Sequence, residues 1–485
     1  MSELFLFHLA LPQELDLVIL LLFMLLGTLN LINLVSWRSS RLLPLSLFHI
    51  AGGILGVMAQ DLITLLIAWE ILSISAFFLI RAGSDRTTQR YALRYLTAQI
   101  AAAALFFTAI AIQFRTTGNT RITSLVQPAQ MFLFAAISIK TASMPLHFWL
   151  TESYPAAQSS ITPLLSAFAT KIGVLTAARL LLFEPWGVPV LAYTGALTAV
   201  AAVAFAIRQH NTRTFLSYLS ISQVGHMTVA IGLVASVGNL ALTAGLFHLI
   251  THTLYMSLLF MTAAEIRYSY GHENLLQMGG LWRRRPLLCI CTAVGAAAIA
   301  GIPFTSGYAS KELIKAAIGH GAIQYLLLIA SIGTAIASIK LMYLVFFAPA
   351  VQHPITAAPT LNHQPVPAAM RMLPLAALTA ATLWIGLFPD AVPGVPDKAF
   401  WESILSTLLP LAIAAASWFI LKNRLTVQTG QPLEDKRSAT PLTSWAAHTT
   451  WPLRHAGRVL HAQGPQLQIA VIILLLFIGI TIKLV

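Results

Sequence analysis

Six ionisable side chains stand where a chain this apolar has little reason to put them. Glu70 is central in "DLITLLIAWEILSISAFFLI", Lys140 lies in "SIKTASMPLHF", and Lys171 is about midway along "SAFATKIGVLTAARL". His248 and His252 share "LFHLITHTLYM", and Lys311 follows "AGIPFTSGYAS". An ionisable group at mid-membrane costs about 2.5–3.5 kcal/mol on the insertion scale, so it needs a partner or water and marks a functional site by default. The chemistry open to this set is proton transfer. Desolvation disfavours a charged amine and a nearby carboxylate favours it. Moving Glu70 toward or away from Lys140 would therefore switch whether that lysine keeps its proton.

Each residue also has a structural alternative. Glu70 could be half of a packing ion pair, although an apolar residue fills that role at lower cost. Lys140 could snorkel, but Pro145, His147 and Trp149 follow it before the interface. Lys311 has a partly polar flank, "SKELIK", and could lie nearer the surface. His248 and His252, four apart, share one helix face. Zinc would need a further ligand, and neither an HExxH nor a CxxC pattern occurs. Core hydrogen bonding and a proton relay remain, and an unperturbed pKa near 6.5 suits the relay. No metal or cofactor is expected.

These groups must be positioned by membrane helices. The chain is 57% hydrophobic and 9% charged, against about 25% charged in a soluble domain. Apolar runs of about 20 residues recur, long enough to span a bilayer. The expected spans are 16–36, 42–58, 61–80, 90–114, 128–150, 160–183, 188–207, 213–235, 238–262, 286–317, 322–347, 369–389, 402–421 and 466–484: an all-α polytopic membrane protein with about fourteen transmembrane helices. Assigning alternate loops to opposite sides collects most arginines on one side, from Arg38 and Arg41 to Arg454 and Arg458. Basic loops stay cytoplasmic, which places both termini in the periplasm of a bacterial inner membrane. The start lacks the basic region of a cleavable signal. Cys289 and Cys291, two apart on one helix, point to different faces and serve packing. The net charge of +13 belongs to loops, and nucleic acid is not an expected partner.

Two spans are broken. Pro145 interrupts 128–150, and Gly301, Pro303 and Gly307 interrupt 286–317. Irregular backbone at membrane depth survives only inside protein or beside a wet cavity. Paired broken helices in two halves of a chain indicate inverted repeats with the site at the breaks. The expected organisation is N-terminal helices at 1–60, a first five-helix repeat at 61–183, a second at 188–347, and C-terminal helices at 348–485. A polar cytoplasmic connection at 422–465 would carry a short surface helix near Trp445–His461. Phosphate-loop, dinucleotide and nucleophile-elbow patterns do not occur, so catalytic chemistry is expected on partner subunits, if anywhere.

The stretches "LLIAWEILSISAFFLI", "IKTASMPLHFWLTESYPAA", "ATKIGVLTAARLL", "FLSYLSISQVGHM", "LFHLITHTLYMSLLF", "MGGLWRRRP" and "AGIPFTSGYASKELI" resemble, in matching order from about residue 45 to 350, the antiporter-like subunits of respiratory complex I, membrane-bound hydrogenases and Mrp cation/proton antiporters. The resemblance implies that Glu70 is coupled to Lys140, Lys171 is the central relay lysine, His248 and His252 bridge, and Lys311 is the outer lysine. "MGGL", "SKEL" and the extra C-terminal span look nearest the large distal pumping subunit of complex I. There are departures: Glu70 comes about two helices early, Met256 stands where relatives often carry lysine, and Arg213 replaces a common lysine. There is also no room for the long lateral helix. The implied function is proton translocation in a shortened relative working with other membrane subunits, of the complex I, hydrogenase or inorganic-carbon-uptake kind. A sodium or potassium/proton antiporter and a non-pumping membrane anchor for a catalytic partner are the alternatives.

Overall fold

The computed structural model describes residues 14–83, 85–122, 125–180, 187–319, 321–349, 367–396 and 404–426. These are helical apart from turns and two isolated backbone bridges. The helices are α1 Glu14–Ser36, α2 Leu43–Met58, α3 Leu62–Arg81, α4 Arg86–Thr117, α5 Gln127–Lys140, α6 Phe148–Ala156, α7 Thr162–Leu180, α8 Gly187–Arg208, α9 Thr212–Gly232, α10 Val234–Val237, α11 Asn239–Tyr270, α12 Pro286–Ala300, α13 Ser306–Ile318, α14 Ala322–Met342, α15 Ala368–Leu387 and α16 Ile404–Thr426. The described part of each expected span from 16–36 to 402–421 falls on one helix or on two consecutive ones. The span 466–484 and the surface helix at Trp445–His461 lie outside the described residues. The expected connection at 422–465 begins later, because α16 continues to Thr426.

Among the described residues, eight helices are long and apolar enough to cross a membrane, and α12 and part of α16 are shorter apolar helices. The chain is a polytopic helical membrane protein. Its outer helices turn large apolar side chains outward, among them Leu21 at 57%, Phe107 at 63% and Leu197 at 59% exposure. Water would not tolerate so continuous an apolar surface, but lipid does. The centre is the reverse. Helices α7, α9 and α11 are enclosed by their neighbours, and α7 and α9 are too polar to stand among the eight. They carry Ser166, Thr170 and Lys171, and Ser217, Ser220, Ser222, Gln223 and His226, all buried. Polar side chains thus sit where protein, rather than hydrocarbon, surrounds them.

Local signals set the helix ends. Asp61 Oδ1 accepts from the Ile63 and Thr64 amides at 2.9 and 2.8 Å and starts α3. Asn211 Oδ1 does the same for α9 through the Arg213 and Thr214 amides, at 3.1 and 3.0 Å. Such caps satisfy donors that the first helical turn leaves free. In chain order, α2, α3, α4, α5/α6 and α7 form one series, and α8, α9, α11, α12/α13 and α14 form another. The fourth member of each series is the broken one.

Candidate functional site

The first break follows Lys140, the last residue of α5. Pro145 has no amide hydrogen to give the Thr141 carbonyl, and the freed groups at 139–144 find other partners. The Ser143 amide turns back to Ser138 O at 2.9 Å, the Met144 amide donates to Thr198 Oγ1 at 3.2 Å, and Trp149 Nε1 donates to Ile139 O at 2.8 Å. The Lys140 side chain is 1% exposed and points to α3. Its Nζ donates to Ser73 Oγ at 3.0 Å and to Trp69 O at 3.4 Å, and it lies 5.0 Å from the centre of the Trp69 ring. Glu70 lies in the same turn of α3 and within electrostatic reach of Lys140. Its Oε1 is nonetheless buried with no hydrogen-bond partner, and no ion pair joins the two. The carboxylate and the amine are neighbours that interact at a distance, while Ser73 and Trp69 hold the amine.

Helix α7 supplies the next group. The Lys140 stem packs against Gly173, two positions from Lys171. Lys171 is fully buried, and its Nζ donates to Ser166 O of its own helix at 2.5 Å. His252 on α11 lies within electrostatic reach of Lys171, and neither of its ring nitrogens has a protein partner. One turn away, the His248 ring is 6.3 Å from that of His252 between centres. His248 Nδ1 is 2.9 Å from Ser310 Oγ, and Thr251 Oγ1 donates to the same hydroxyl at 2.9 Å.

The next member is one that sequence reasoning missed. His226 on α9 is 5.9 Å from His248 between ring centres. Its Nδ1 is 2.9 Å from Ser222 O. A carbonyl can only accept, so Nδ1 carries the hydrogen and the unpartnered Nε2 is left as a proton acceptor. Among the described residues no three histidine, cysteine, aspartate or glutamate side chains converge as a metal ion would require.

The second break ends the row. Pro303 has no amide hydrogen for Ile299 O, its usual helical acceptor. Lys311 Nζ, from the far side of the break, donates to that oxygen at 2.6 Å, with Thr334 Oγ1 at 3.4 Å. Gly307 lets α12 and α13 approach: a β-carbon there would overlap the Ala298 carbonyl. His226 and Lys311 both line a cavity of about 280 Å³, together with Glu312, Lys315, Gln324 and Tyr325.

The structure therefore brings the six predicted residues into a single row, fully buried at Lys140, Lys171, His248 and His252 and half-buried at its two ends, Glu70 and Lys311. It runs Glu70, Lys140, Lys171, His252, His248, then His226 and Lys311. The separations exceed a direct hydrogen bond at most steps. The buried polar atoms left without protein partners include Glu70 Oε1, Ser166 Oγ, Thr170 Oγ1, both nitrogens of His252, and Nε2 of His248 and His226. Such groups in native proteins are satisfied by water. A row of titratable groups bridged by water can pass protons by exchange.

A helical membrane protein with two broken helices and a buried titratable row across both halves defines a transport subunit class. The chain belongs to the NADH:quinone oxidoreductase/Mrp antiporter transmembrane family, with residues 59–337 matching it. It is 29% identical over 386 residues to the NADH-quinone oxidoreductase subunit N of Chloroflexus aggregans, covering 73% of this chain and 76% of that one. It is 28% identical over 292 residues to a Na(+)/H(+) antiporter subunit of Alkalihalophilus pseudofirmus, covering 56% and 59%. The fold matches a chain of the Mrp complex from a Dietzia species with TM-score 0.71 and 21% identity, covering 84% and 83%. It matches a chain of respiratory complex I from Thermus thermophilus with TM-score 0.67 and 25% identity, covering 79% and 86%.

Proposed function

We propose that this chain is a proton-translocating subunit of a multi-subunit bacterial inner-membrane complex. Protons pass along Glu70, Lys140, Lys171, His252, His248, His226 and Lys311, and their flux is coupled to a reaction or transport step on partner subunits. The observation that carries this reading is the unpartnered buried row itself. Five of the seven titratable side chains, Lys140, Lys171, His226, His248 and His252, are fully buried, Glu70 and Lys311 are half-buried, and several hold atoms that only water can satisfy. Evolution of a merely structural core would replace such groups with apolar ones at lower cost.

The roles divide by geometry. Glu70 modulates Lys140, because a carboxylate close to an amine favours its charged form without binding it. Lys171 joins the first broken helix to the histidines. Lys311 faces the cavity and is the exit group. The two series of five helical elements, α2 to α7 and α8 to α14, are read as the inverted repeats. The relatives' names include a sodium/proton antiporter subunit, but proton transfer is the chemistry this row offers, since its protonated lysines repel a metal cation. The termini face the periplasm, and the basic loops face the cytoplasm and the partner subunits.

The test uses the complex purified with its companion chains and reconstituted in vesicles. Glu70→Ala and Lys140→Ala should each abolish coupled proton flux while assembly persists. Wild-type flux in both variants would end this reading.

A further inference from the structure

One fully buried histidine, His49, stands outside the row, at the middle of α2. Its Nδ1 is 2.8 Å from Ser75 Oγ of α3. That hydroxyl gives its hydrogen to carbonyls of its own helix, Ile71 O at 2.5 Å and Leu72 O at 3.2 Å. It therefore accepts from the ring, and Nδ1 carries the hydrogen. Nε2 is then a basic lone pair, buried and without a hydrogen-bond partner. The ring also meets Phe168 of α7, edge to face at 5.7 Å between centres. Gly53, one turn beyond His49, lets Phe168 come this close: a β-carbon there would overlap the Phe168 ring. A purely structural ring at this place would be phenylalanine, which fills the volume and leaves no polar atom unsatisfied.

His49 is within electrostatic reach of Lys140, and it approaches from a particular side. An α-helix turns by about 100° per residue. On α3, Trp69 and Ser73, which hold the Lys140 ammonium, therefore lie between Glu70 on one flank and Ser75 on the other. Lys140 has a carboxylate to one side and an imidazole to the other. The elements packed against α2 carry two mid-helix titratable groups, Glu70 of α3 and Lys171 of α7. Their other charges stand at helix ends: Glu14 and Asp16 start α1, Arg41 precedes α2, and Arg81 and Arg179 close α3 and α7.

We propose that His49 and Lys140 share one proton, with His49 Nε2 as its second seat. The transfer takes a proton from the ammonium to Nε2 and leaves a neutral amine beside an imidazolium. Each charge disfavours the other, so the pair titrates as a unit and holds one proton at a time. Glu70 draws that proton toward Lys140, and His49 draws it away. His49 thereby sets how readily Lys140 releases toward Lys171. The proposal rests on the relay reading above and adds a group on α2 that the row does not contain.

The test is the pH dependence of coupled proton flux in the reconstituted complex. His49→Gln keeps a donor for Ser75 and removes the basic nitrogen. Lys140 then holds its proton more firmly, and the flux–pH curve should move to higher pH by about one unit, a tenfold change in proton affinity. Near neutral pH, flux should be about tenfold below wild type, and raising the pH by about one unit should restore it. Ser75→Ala takes the acceptor from Nδ1 and so weakens the imidazolium. It should displace the curve the same way by a smaller step, and it serves as the test if His49→Gln does not assemble. A packing role lowers flux equally at every pH, so a loss that persists at high pH, or a curve that stays in place, overturns the proposal. The relay is judged separately. If Glu70→Ala and Lys140→Ala are inactive while the curve stays in place, the shared proton alone falls; wild-type flux in both of those variants overturns the relay.

Discussion

Lys311 gives its ammonium hydrogen to Ile299 O at 2.6 Å, the carbonyl that Pro303 leaves without its helical donor. The break and the lysine are therefore one device. The proline frees an acceptor, and the lysine on the opposite half-helix occupies it. Pro303→Ala restores an amide that competes for Ile299 O. Proton flux in vesicles should fall about tenfold, in line with the exchange of one charge-assisted hydrogen bond, while the complex still assembles. Flux at the wild-type level would separate the break from the function of Lys311.

His226 should behave as a full member of the row. His226→Phe keeps the ring's volume and removes Nε2. Flux should drop to the level of His248→Phe, and the double variant should be no worse than either single one, because groups in series are not additive. Independent, additive losses would place His226 outside the path. Flux assays on the three variants decide between these outcomes.

Much of this was legible in the sequence, and the rest was not for physical reasons. Lys140, Lys171 and Lys311 stood out because a charge contrasts with apolar neighbours, and Pro145 and Pro303 announced the breaks because proline cannot donate. His226 gave no contrast: "FLSYLSISQVGHM" is already polar, and one more polar residue there raises no flag. That stretch is polar because α9 is enclosed by other helices, a fact of tertiary packing. Glu70 lies within electrostatic reach of Lys140. What the sequence could not show is that Ser73 and Trp69 take the ammonium and leave the carboxylate unpaired.

Gly173 is the contact that lets α7 lie against the Lys140 stem. A β-carbon there would stand 3.1 Å from both Lys140 Cγ and Thr141 Cγ2. Gly173→Leu overpacks this point and should destabilise the protein by about 1–3 kcal/mol, read as a lower thermal midpoint in detergent, with flux lost as Lys140 is displaced. An unchanged midpoint would show that α7 and α5 are looser than the packing indicates.

Arg213, expected from the resemblance as a departure, is a clamp. It pairs with Glu273 at 2.7 Å and donates to Tyr154 O at 3.2 Å and Thr162 Oγ1 at 3.1 Å, tying α6 and α7 to the loop after α11. Burial works against the Glu273 charge, but Arg213 and Arg267 outweigh it and hold the carboxyl below its ordinary value of 4.5. A carboxyl lowered on folding stabilises fully above its unfolded pKa and loses that contribution as pH falls through its folded pKa. Glu273→Gln should therefore cost about 3 kcal/mol at neutral pH, and the gap to the wild type should narrow progressively as pH falls below the ordinary value of 4.5 toward the lower folded one. A gap that is constant with pH would assign the effect to packing.

The most direct measurement is proton flux through the reconstituted complex with Lys171→Leu, because Lys171 stands in the middle of the row and its neighbours are buried on every side. Loss of coupled flux with intact assembly and unchanged binding of companion subunits is the predicted result. Wild-type flux through a chain with an apolar side chain at that point would contradict a continuous path from Glu70 to Lys311.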